Sequence, residues 1–247
     1  MAENAEEKGC LLVDIGNSRV KWAVAEHGEL KVGAAFPSDA AEFGKSLDRL
    51  WRDMGAPRAA HASNVAGDAM ADRLAEWVAR RWNLPVRFAR SEARAHGVIN
   101  GYRQPERLGV DRWMGLIALR HDYALPACLV DCGTALTLDV LDETGRHLGG
   151  LIAPGPALMR RALLRETQGV RPEGTAAGGP LGLDTAACAG LVEKTLSELA
   201  PALDRAPTLV LSGGDGGLLG QALPIPYRLA PDLVLRGLLI IATTEST

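Results

Sequence analysis

The first residues in the chain whose types and spacing suggest chemistry are Asp14, Gly16 and Lys21. Glycine has no Cβ, so a ligand can approach the backbone closely at that position. A lysine supplies a point charge suited to phosphate, and a carboxylate can hold a hydrated divalent cation beside that phosphate. A single copy of this pattern, however, favours an ordinary hairpin turn between two strands.

A second copy of the pattern changes this interpretation. The run Leu129–Ala135, with the sequence LVDCGTA, repeats Leu12–Ser18, with the sequence LVDIGNS, in register. Each copy continues as an alternating strand, a turn containing glycine and another strand, which predicts two matching β-hairpins. The repeat indicates an internal duplication, and a two-lobed nucleotide-binding fold needs two phosphate turns of this kind. Asp131, at the end of its strand, fits either a cation ligand or an Asx-turn.

Strands and helices alternate through both halves, which predicts an α/β fold with mixed sheets. In the first half we expect three strands within residues 10–36, strands at 58–64 and 86–89, and helices at 38–54, 68–82 and up to residue 123. Ser38 is expected to cap the first of these helices. In the second half we expect strands at 127–132, 134–141, 146–153 and 208–211, and helices ending at 164, starting at 184 and spanning 231–243.

Three stretches between these elements have distinctive compositions. Residues 91–107 form a polar run that is long for a compact domain, which is typical of a functional loop. Ser212–Gly217 is a glycine-rich turn between a strand and a helix, and such a turn can admit a nucleotide base or ribose close to the backbone. Residues 169–182 are rich in Gly, Pro, Thr and Ala, which predicts a mobile loop.

Charge and composition argue against several classes of protein. The chain has 27 Lys and Arg against 30 Asp and Glu, with a net charge of −3, so no nucleic-acid partner is expected. Its four cysteines lack metal-ligand spacing, and the acidic N-terminus does not resemble a signal peptide. Its apolar runs are too short to span a membrane. We therefore expect a cytoplasmic protein that binds neither nucleic acid nor membrane.

Four motifs, in this order, resemble those of type III pantothenate kinases, which belong to the actin-like, sugar-kinase ATPase superfamily. They are Asp14–Ser18 (DIGNS), Gly109–Arg112 (GVDR), Asp131–Ala135 (DCGTA) and Gly149–Gly155 (GGLIAPG). The resemblance covers nearly the whole chain. It implies two similar ribonuclease H-like lobes: 1–112 with the first phosphate turn, and 113–247 with the second phosphate turn and the adenosine turn.

The resemblance also implies an activity and its requirements. The family phosphorylates pantothenate with ATP to 4'-phosphopantothenate, which is the first step of coenzyme A biosynthesis. It works as a homodimer with Mg²⁺ and a monovalent cation, K⁺ or NH₄⁺. The alternatives are another small-molecule kinase of the superfamily and an ATP-binding regulator or filament protein. Asp111 and the two turns argue against the regulator, and the run from Tyr102 to Arg112 favours pantothenate.

Roles follow from the resemblance residue by residue. It implies that ATP is bound by Asp14, Ile15, Gly16, Asn17, Ser18, Arg19, Val20, Lys21 and Thr134. It implies that pantothenate is bound by Tyr102, Gly109, Val110, Asp111, Arg112 and Thr185. Asp111 would be the catalytic base, and Asp131 would bind the monovalent cation.

Three of these residues also have a plainer interpretation. Asp111 fits a helix cap that binds its own backbone, Arg112 fits a surface arginine, and Tyr102 fits loop packing. The chain also departs from the usual family pattern: Ser18 stands in place of Thr, Cys132 in place of Ala and Asp184 in place of Asn, and residues 168–172 lack the usual Leu-Pro ending.

Overall fold

The computed structural model describes residues 9–167 and 183–244, which form two compact units. The first unit contains the described residues within Met1–Glu92, Gln104–Ala118 and Val234–Thr247. The second contains those within Ala93–Arg103 and Leu119–Leu233. The units interleave along the chain. The continuous lobes 1–112 and 113–247 stay a prediction.

Strands and helices alternate along the chain. The strands are β1 (Cys10–Ile15), β2 (Arg19–Glu26), β3 (Glu29–Val32), β4 (Phe36–Pro37), β5 (Ala59–Asn64), β6 (Val86–Phe88), β7 (Arg94–Ala95), β8 (Val98–Ile99), β9 (Ala127–Cys132), β10 (Ala135–Leu141), β11 (His147–Pro154), β12 (Thr208–Ser212) and β13 (Arg228–Leu229). The α-helices are α1 (Phe43–Leu50), α2 (Asp68–Trp82), α3 (Val110–Asp122), α4 (Pro156–Glu166), α5 (Leu183–Leu199), α6 (Gly216–Ala222) and α7 (Leu233–Thr244). None of the helices in residues 9–167 and 183–244 combines the length and apolarity needed to cross a membrane.

The two main sheets have the same topology. In the first unit the strand order is β3-β2-β1-β5-β6, with β4 added to β2, and in the second it is β11-β10-β9-β12-β13. In each sheet an antiparallel meander of three strands continues into two strands that run parallel to its first strand. The predicted duplication and the α/β fold with mixed sheets are therefore confirmed.

An aromatic cluster packs α1 and α2 against the sheet of the first unit. Trp51, at the end of α1, is fully buried and meets Trp22 of β2 edge to face, at 5.5 Å between ring centroids. It meets Trp77 of α2 in the same way at 5.3 Å. Such pairs contribute about 0.5–1.5 kcal/mol each beyond burial. The cluster thus holds β2, which carries Lys21, against the helices.

The segment before α1 differs from its prediction. The helix predicted to start at Ser38 starts at Phe43 instead, and Ser38 does not cap it, so this prediction was wrong. The reason is that the Ser38 hydroxyl bonds to the Gly16 carbonyl, while Phe36–Pro37 pairs with β2 as an extended strand. The predicted mobile loop at 169–182 lies outside the described residues.

Candidate active site

The first acidic glycine turn joins β1 to β2. The Gly16 amide donates to the Arg19 carbonyl at 3.1 Å, which closes the turn. Asp14 is the partner of Lys21 across the antiparallel ladder and of Ser63 across the parallel ladder. Directly opposed side chains lie on the same face of a sheet. A carboxylate, an ammonium group and a hydroxyl are therefore aligned beside the turn.

The remaining members of the predicted ATP-binding stretch divide between surface and core. Asn17, Ser18 and Arg19 are exposed at the tip of the turn. The side chains of Ile15 and Val20 are fully buried in the hydrophobic core. These two residues support the turn, and only their backbone groups are available to a ligand.

Ser38 braces the first turn, a role that its sequence context did not reveal. Its hydroxyl donates to the Gly16 carbonyl at 2.6 Å, and its amide donates to the Ser18 carbonyl at 3.1 Å. These bonds fasten the turn to the chain that follows β4. The sequence offered no signal for this role, because a serine before a predicted helix is also what an N-cap looks like.

Asp111 lies in the first turn of α3. Its Oδ1 accepts a hydrogen bond from the Arg112 amide at 2.8 Å, so the interpretation as a carboxylate bound to its own helix start is partly correct. A Cβ at Gly109 would come within 2.6 Å of the same Oδ1, so glycine makes room for the carboxylate. Arg112 is only 7% exposed, and its interpretation as a surface arginine is wrong.

The second acidic glycine turn joins β9 to β10 and is one residue shorter than the first. The Gly133 amide donates to the Ala135 carbonyl at 2.9 Å. Asp131 is the partner of Thr137 across the antiparallel ladder and of Ser212 across the parallel ladder. The second copy therefore presents a carboxylate flanked by two hydroxyls, where the first has a lysine on one side.

The second turn is held by two other glycine turns of the same unit. The Gly155 amide donates to the Thr134 carbonyl at 3.0 Å, and the Asp215 amide donates to the Cys132 carbonyl at 2.9 Å. Gly213 has φ +82°, and a Cβ there would lie 2.2 Å from the Cys132 carbonyl oxygen. The predicted adenosine turn at Ser212–Gly217 thus packs directly on the second phosphate turn.

Tyr102 and Thr185 belong to the second unit but occupy different settings. The Tyr102 ring lies parallel to the ring of His147, with 6.0 Å between centroids and 8° between planes. Thr185 is buried near the start of α5, where its amide donates to Asp184 Oδ1 at 3.0 Å. Asp184 also forms an ion pair with Arg160 of α4, so the aspartate that replaces the usual Asn ties two helices together.

The predicted site residues are divided between the two units. Asp14–Lys21 and Gly109–Arg112 lie in the first unit, and Tyr102, Asp131, Thr134 and Thr185 lie in the second. Tyr102 is therefore in a different unit from the Gly109–Arg112 run, although only six residues separate them in the sequence.

Comparison with known proteins agrees with these motifs. The family model described as type III pantothenate kinase matches residues 10–194. The chain belongs to the type III pantothenate kinase family. It is 35% identical over 251 residues to the type III pantothenate kinase of Nitrosococcus oceani, covering 96% of this chain and 94% of that one. It is 40% identical over 260 residues to that of Burkholderia mallei, covering 94% and 98%.

Similar solved structures support the fold of this family member. A conserved putative Baf family transcriptional activator from Campylobacter jejuni has a TM-score of 0.55 at 21% identity, over 96% of this chain and 98% of that one. A ROK hexokinase from Thermus thermophilus has a TM-score of 0.51 at 16% identity, over 96% and 99%. The activator of 2-hydroxyisocaproyl-CoA dehydratase from Clostridium difficile, with bound ADPNP, has a TM-score of 0.53 at 13% identity, over 96% and 95%. These likenesses support the α/β fold with mixed sheets and nothing beyond the fold.

Cys132, inside the second turn of this pantothenate kinase family member, is not a reactive thiolate. Burial, together with smaller contributions from the nearby Cys188, Asp215 and Asp131, raises the pKa of Cys132 to about 12. The thiol therefore stays protonated at neutral pH and acts as a small apolar side chain. It replaces the family's usual alanine without adding chemistry.

Two buried serines flank the acidic residues of the two turns, and the sequence motifs did not include Ser63. Ser63 and Ser212 are 0% and 1% exposed, and their hydroxyls have no hydrogen-bond partner in residues 9–167 and 183–244. The described part of the chain contains no group of three or more His, Cys, Asp or Glu that could hold a metal. One carboxylate with a nearby hydroxyl suits a cation that completes its coordination with water and phosphate oxygens, as Mg²⁺ does.

Proposed function

We propose that this protein phosphorylates pantothenate with ATP to give 4'-phosphopantothenate, the first step of coenzyme A biosynthesis. The observation that carries this proposal is the pair of matching Asp–Gly turns at equivalent positions of two equivalent sheets, in a member of the type III pantothenate kinase family. Asp111 at the start of α3 adds a carboxylate suited to act as the base.

Phosphoryl transfer to an alcohol depends more on positioning and charge neutralisation than on covalent help from the protein. The pantothenate hydroxyl oxygen attacks the γ-phosphorus, the bond from that phosphorus to the ADP oxygen breaks, and ADP leaves. The hydroxyl proton passes to the Asp111 carboxylate as the new bond forms. The hydrogen bond from the Arg112 amide fixes the direction in which this carboxylate points.

We also propose roles for the other predicted site residues. We assign the first turn, including Lys21, and Thr134 to the phosphates of ATP, because lysine and turn amides suit phosphate oxygens. Arg112 presents a planar fork that can pair with the pantothenate carboxylate. Tyr102, Gly109, Val110 and Thr185 complete our set of pantothenate contacts.

Two cations fit the acidic residues of the turns. Asp14 would hold hydrated Mg²⁺ beside the ATP phosphates, and Asp131 would hold a monovalent cation, K⁺ or NH₄⁺. Both cations supply positive charge that offsets charge on the phosphates. We further propose that the enzyme works as a homodimer in the cytoplasm.

A substrate panel tests the proposal directly. The purified protein is incubated with ATP, Mg²⁺ and K⁺, and with pantothenate, a set of hexoses or a set of small carboxylic acids. ADP release and product mass are then measured. We expect ADP and a product heavier by one phosphoryl group with pantothenate alone. Turnover of a sugar or another acid in preference to pantothenate would identify a different kinase, and ATP binding without turnover would identify a regulator.

A further inference from the structure

A buried acid–histidine pair lies in the second unit, outside the four sequence motifs. His147 Nε2 donates to Asp139 Oδ1 at 2.8 Å, and the two side chains are 0% and 1% exposed. Burying such a pair removes both groups from water, and apolar residues in the same place are often equally stable or more so. Stability alone therefore does not account for this pair.

The strand register explains how the pair forms. His147 begins β11 and is the partner of Leu141 on β10. Asp139 lies two residues before Leu141, so its side chain points to the same face of the strand. The register shifts between Val140 and Leu141, so the imidazole reaches the carboxylate across an irregular part of the ladder. The carboxylate bond then fixes the rotation of the histidine ring.

The loop that carries Tyr102 lies against this same hairpin. The Ile99 amide donates to the Gly145 carbonyl at 3.0 Å. A Cβ at Gly101 would come within 2.0 Å of the His147 carbonyl oxygen, so the loop and β11 touch backbone to backbone there. The Tyr102 ring follows, parallel to the imidazole. His147 therefore meets the loop with both its backbone and its ring.

We infer that His147, oriented by Asp139, is a positioning residue that holds Tyr102 in place for pantothenate. This inference rests on the proposed function, in which Tyr102 contacts pantothenate. One edge of the imidazole is held by the buried carboxylate, while its face supports the tyrosine ring. Tyr102 is anchored locally as well, since its amide donates to Asn100 Oδ1 at 3.0 Å. The histidine ring adds the constraint on the tyrosine side chain.

Three variants separate the parts of this arrangement. Asp139→Asn keeps an oxygen acceptor for His147 Nε2. Asp139→Leu/His147→Phe keeps a flat ring but removes its tether, and Asp139→Leu/His147→Leu removes both. The two double variants leave no buried charge without a partner, so both are expected to fold. His121→Leu is the matched control, because His121 bonds to Asp122 at 2.7 Å in an exposed pair of the same kind.

Steady-state kinetics give the first readout. We expect the KM for pantothenate to rise about fivefold to tenfold in Asp139→Leu/His147→Leu, less in Asp139→Leu/His147→Phe and least in Asp139→Asn. The KM for ATP should stay within about twofold in all three, because a positioning defect in one substrate contact is not shared by the other. His121→Leu should match the wild type. Equal changes in both KM values, or no change in either, would overturn the inference.

A double-mutant cycle tests whether His147 acts through Tyr102. In a Tyr102→Ala background the pair Asp139→Leu/His147→Leu should have almost no further effect on the KM for pantothenate, since residues that act as a unit are not additive. Fully additive effects would assign the buried pair a general structural role and contradict the inference.

Hydrogen exchange gives a readout that does not depend on the substrate. The amides of Ile99 and Tyr102 should exchange about tenfold faster in Asp139→Leu/His147→Leu than in the wild type, and Asp139→Asn should stay close to the wild type. Unchanged exchange in the double variant would overturn the anchoring. If the wild type turned over a substrate other than pantothenate while exchange still responded as expected, the proposed function would fail and the anchoring of the loop would stand.

Discussion

The hairpins that carry the two acidic glycine turns have the same strand pairing, but they differ by one residue in loop length and also in charge. In both, a glycine amide closes the turn, an aspartate is the second-last residue of the first strand, and a buried serine lies opposite it on the parallel strand. Across the antiparallel ladder, however, Asp14 faces Lys21, whereas Asp131 faces Thr137. The first copy thus has a positively charged side chain beside its aspartate, and the second has a neutral hydroxyl in that place.

This difference fits the two separate roles that we propose for the turns. A lysine beside the first turn suits it to phosphate. A carboxylate flanked by neutral hydroxyls, with no lysine beside it, suits the second turn to a cation with oxygen ligands. The supports also differ, because Ser38 braces the first turn while Gly155 and Asp215 brace the second. The strand pairing is shared by the two copies, while loop length and neighbouring side chains differ.

The largest expected effect lies outside both hairpins. Asp111→Asn keeps the size and the hydrogen bond to the Arg112 amide but removes the base, so we expect kcat to fall by about 10²-fold or more. The thermal unfolding midpoint should match that of the wild type. Near wild-type turnover would show that the base is elsewhere, and the carboxylates of the two hairpins would then be the next candidates.

A second prediction joins residues of the two units through the proposed dimer. If Thr185 contacts pantothenate bound to the partner subunit, Thr185→Ala and Asp111→Asn proteins should each be nearly inactive and should regain activity when subunits exchange. One site of the mixed dimer would carry both wild-type residues, so the ceiling is about half of wild-type activity.

The control for this experiment is proof that the subunits exchange. Differently tagged chains should co-purify after mixing. Exchange without recovery, together with a severe defect in Thr185→Ala, would place Thr185 in the same site as Asp111 of its own chain, or outside the site.

The third prediction exchanges the charge that distinguishes the two hairpins. Activity should be about tenfold higher with K⁺ or NH₄⁺ than with Na⁺, and Asp131→Ala should abolish this response. Thr137→Lys gives the second hairpin the lysine of the first, so the cation response should also be lost. Thr137→Val is the matched control: it removes the hydroxyl without adding a charge, so the response should weaken but persist. Equal wild-type rates in the three salts would contradict the assignment of Asp131.

The smallest expected effects concern the buried serines. Ser63→Ala should raise the KM for ATP about twofold to threefold, whereas Ser212→Ala should instead raise the half-activating K⁺ concentration by a similar factor. Both substitutions remove a buried hydroxyl without a partner in the described chain, so the free energy of unfolding should stay the same or rise by up to about 1 kcal/mol. Denaturant unfolding measures this. Identical kinetic effects of the two substitutions would contradict the proposal that the first turn binds phosphate and the second binds the monovalent cation.

The sequence was sufficient for much of the fold because the duplicated pattern is local. Alternating apolar residues predict each strand, and a glycine after each aspartate predicts each turn. The repeat of LVDIGNS as LVDCGTA then predicts equivalent sheets, which the matching strand orders confirm. The motifs also pointed to Asp14, Asp111 and Asp131, whose roles stay predictions.

What only the tertiary structure decided depends on contacts between distant segments. Ser38 looks like a helix cap until its hydroxyl is seen on the Gly16 carbonyl, 22 residues earlier in the chain. His147 and Asp139 form no recognisable motif, because a strand register and not a sequence spacing brings them together. Local residue types determined which segments form turns and strands. Tertiary packing determined which polar side chains support them, since a buried polar group must find its partner wherever the fold supplies one.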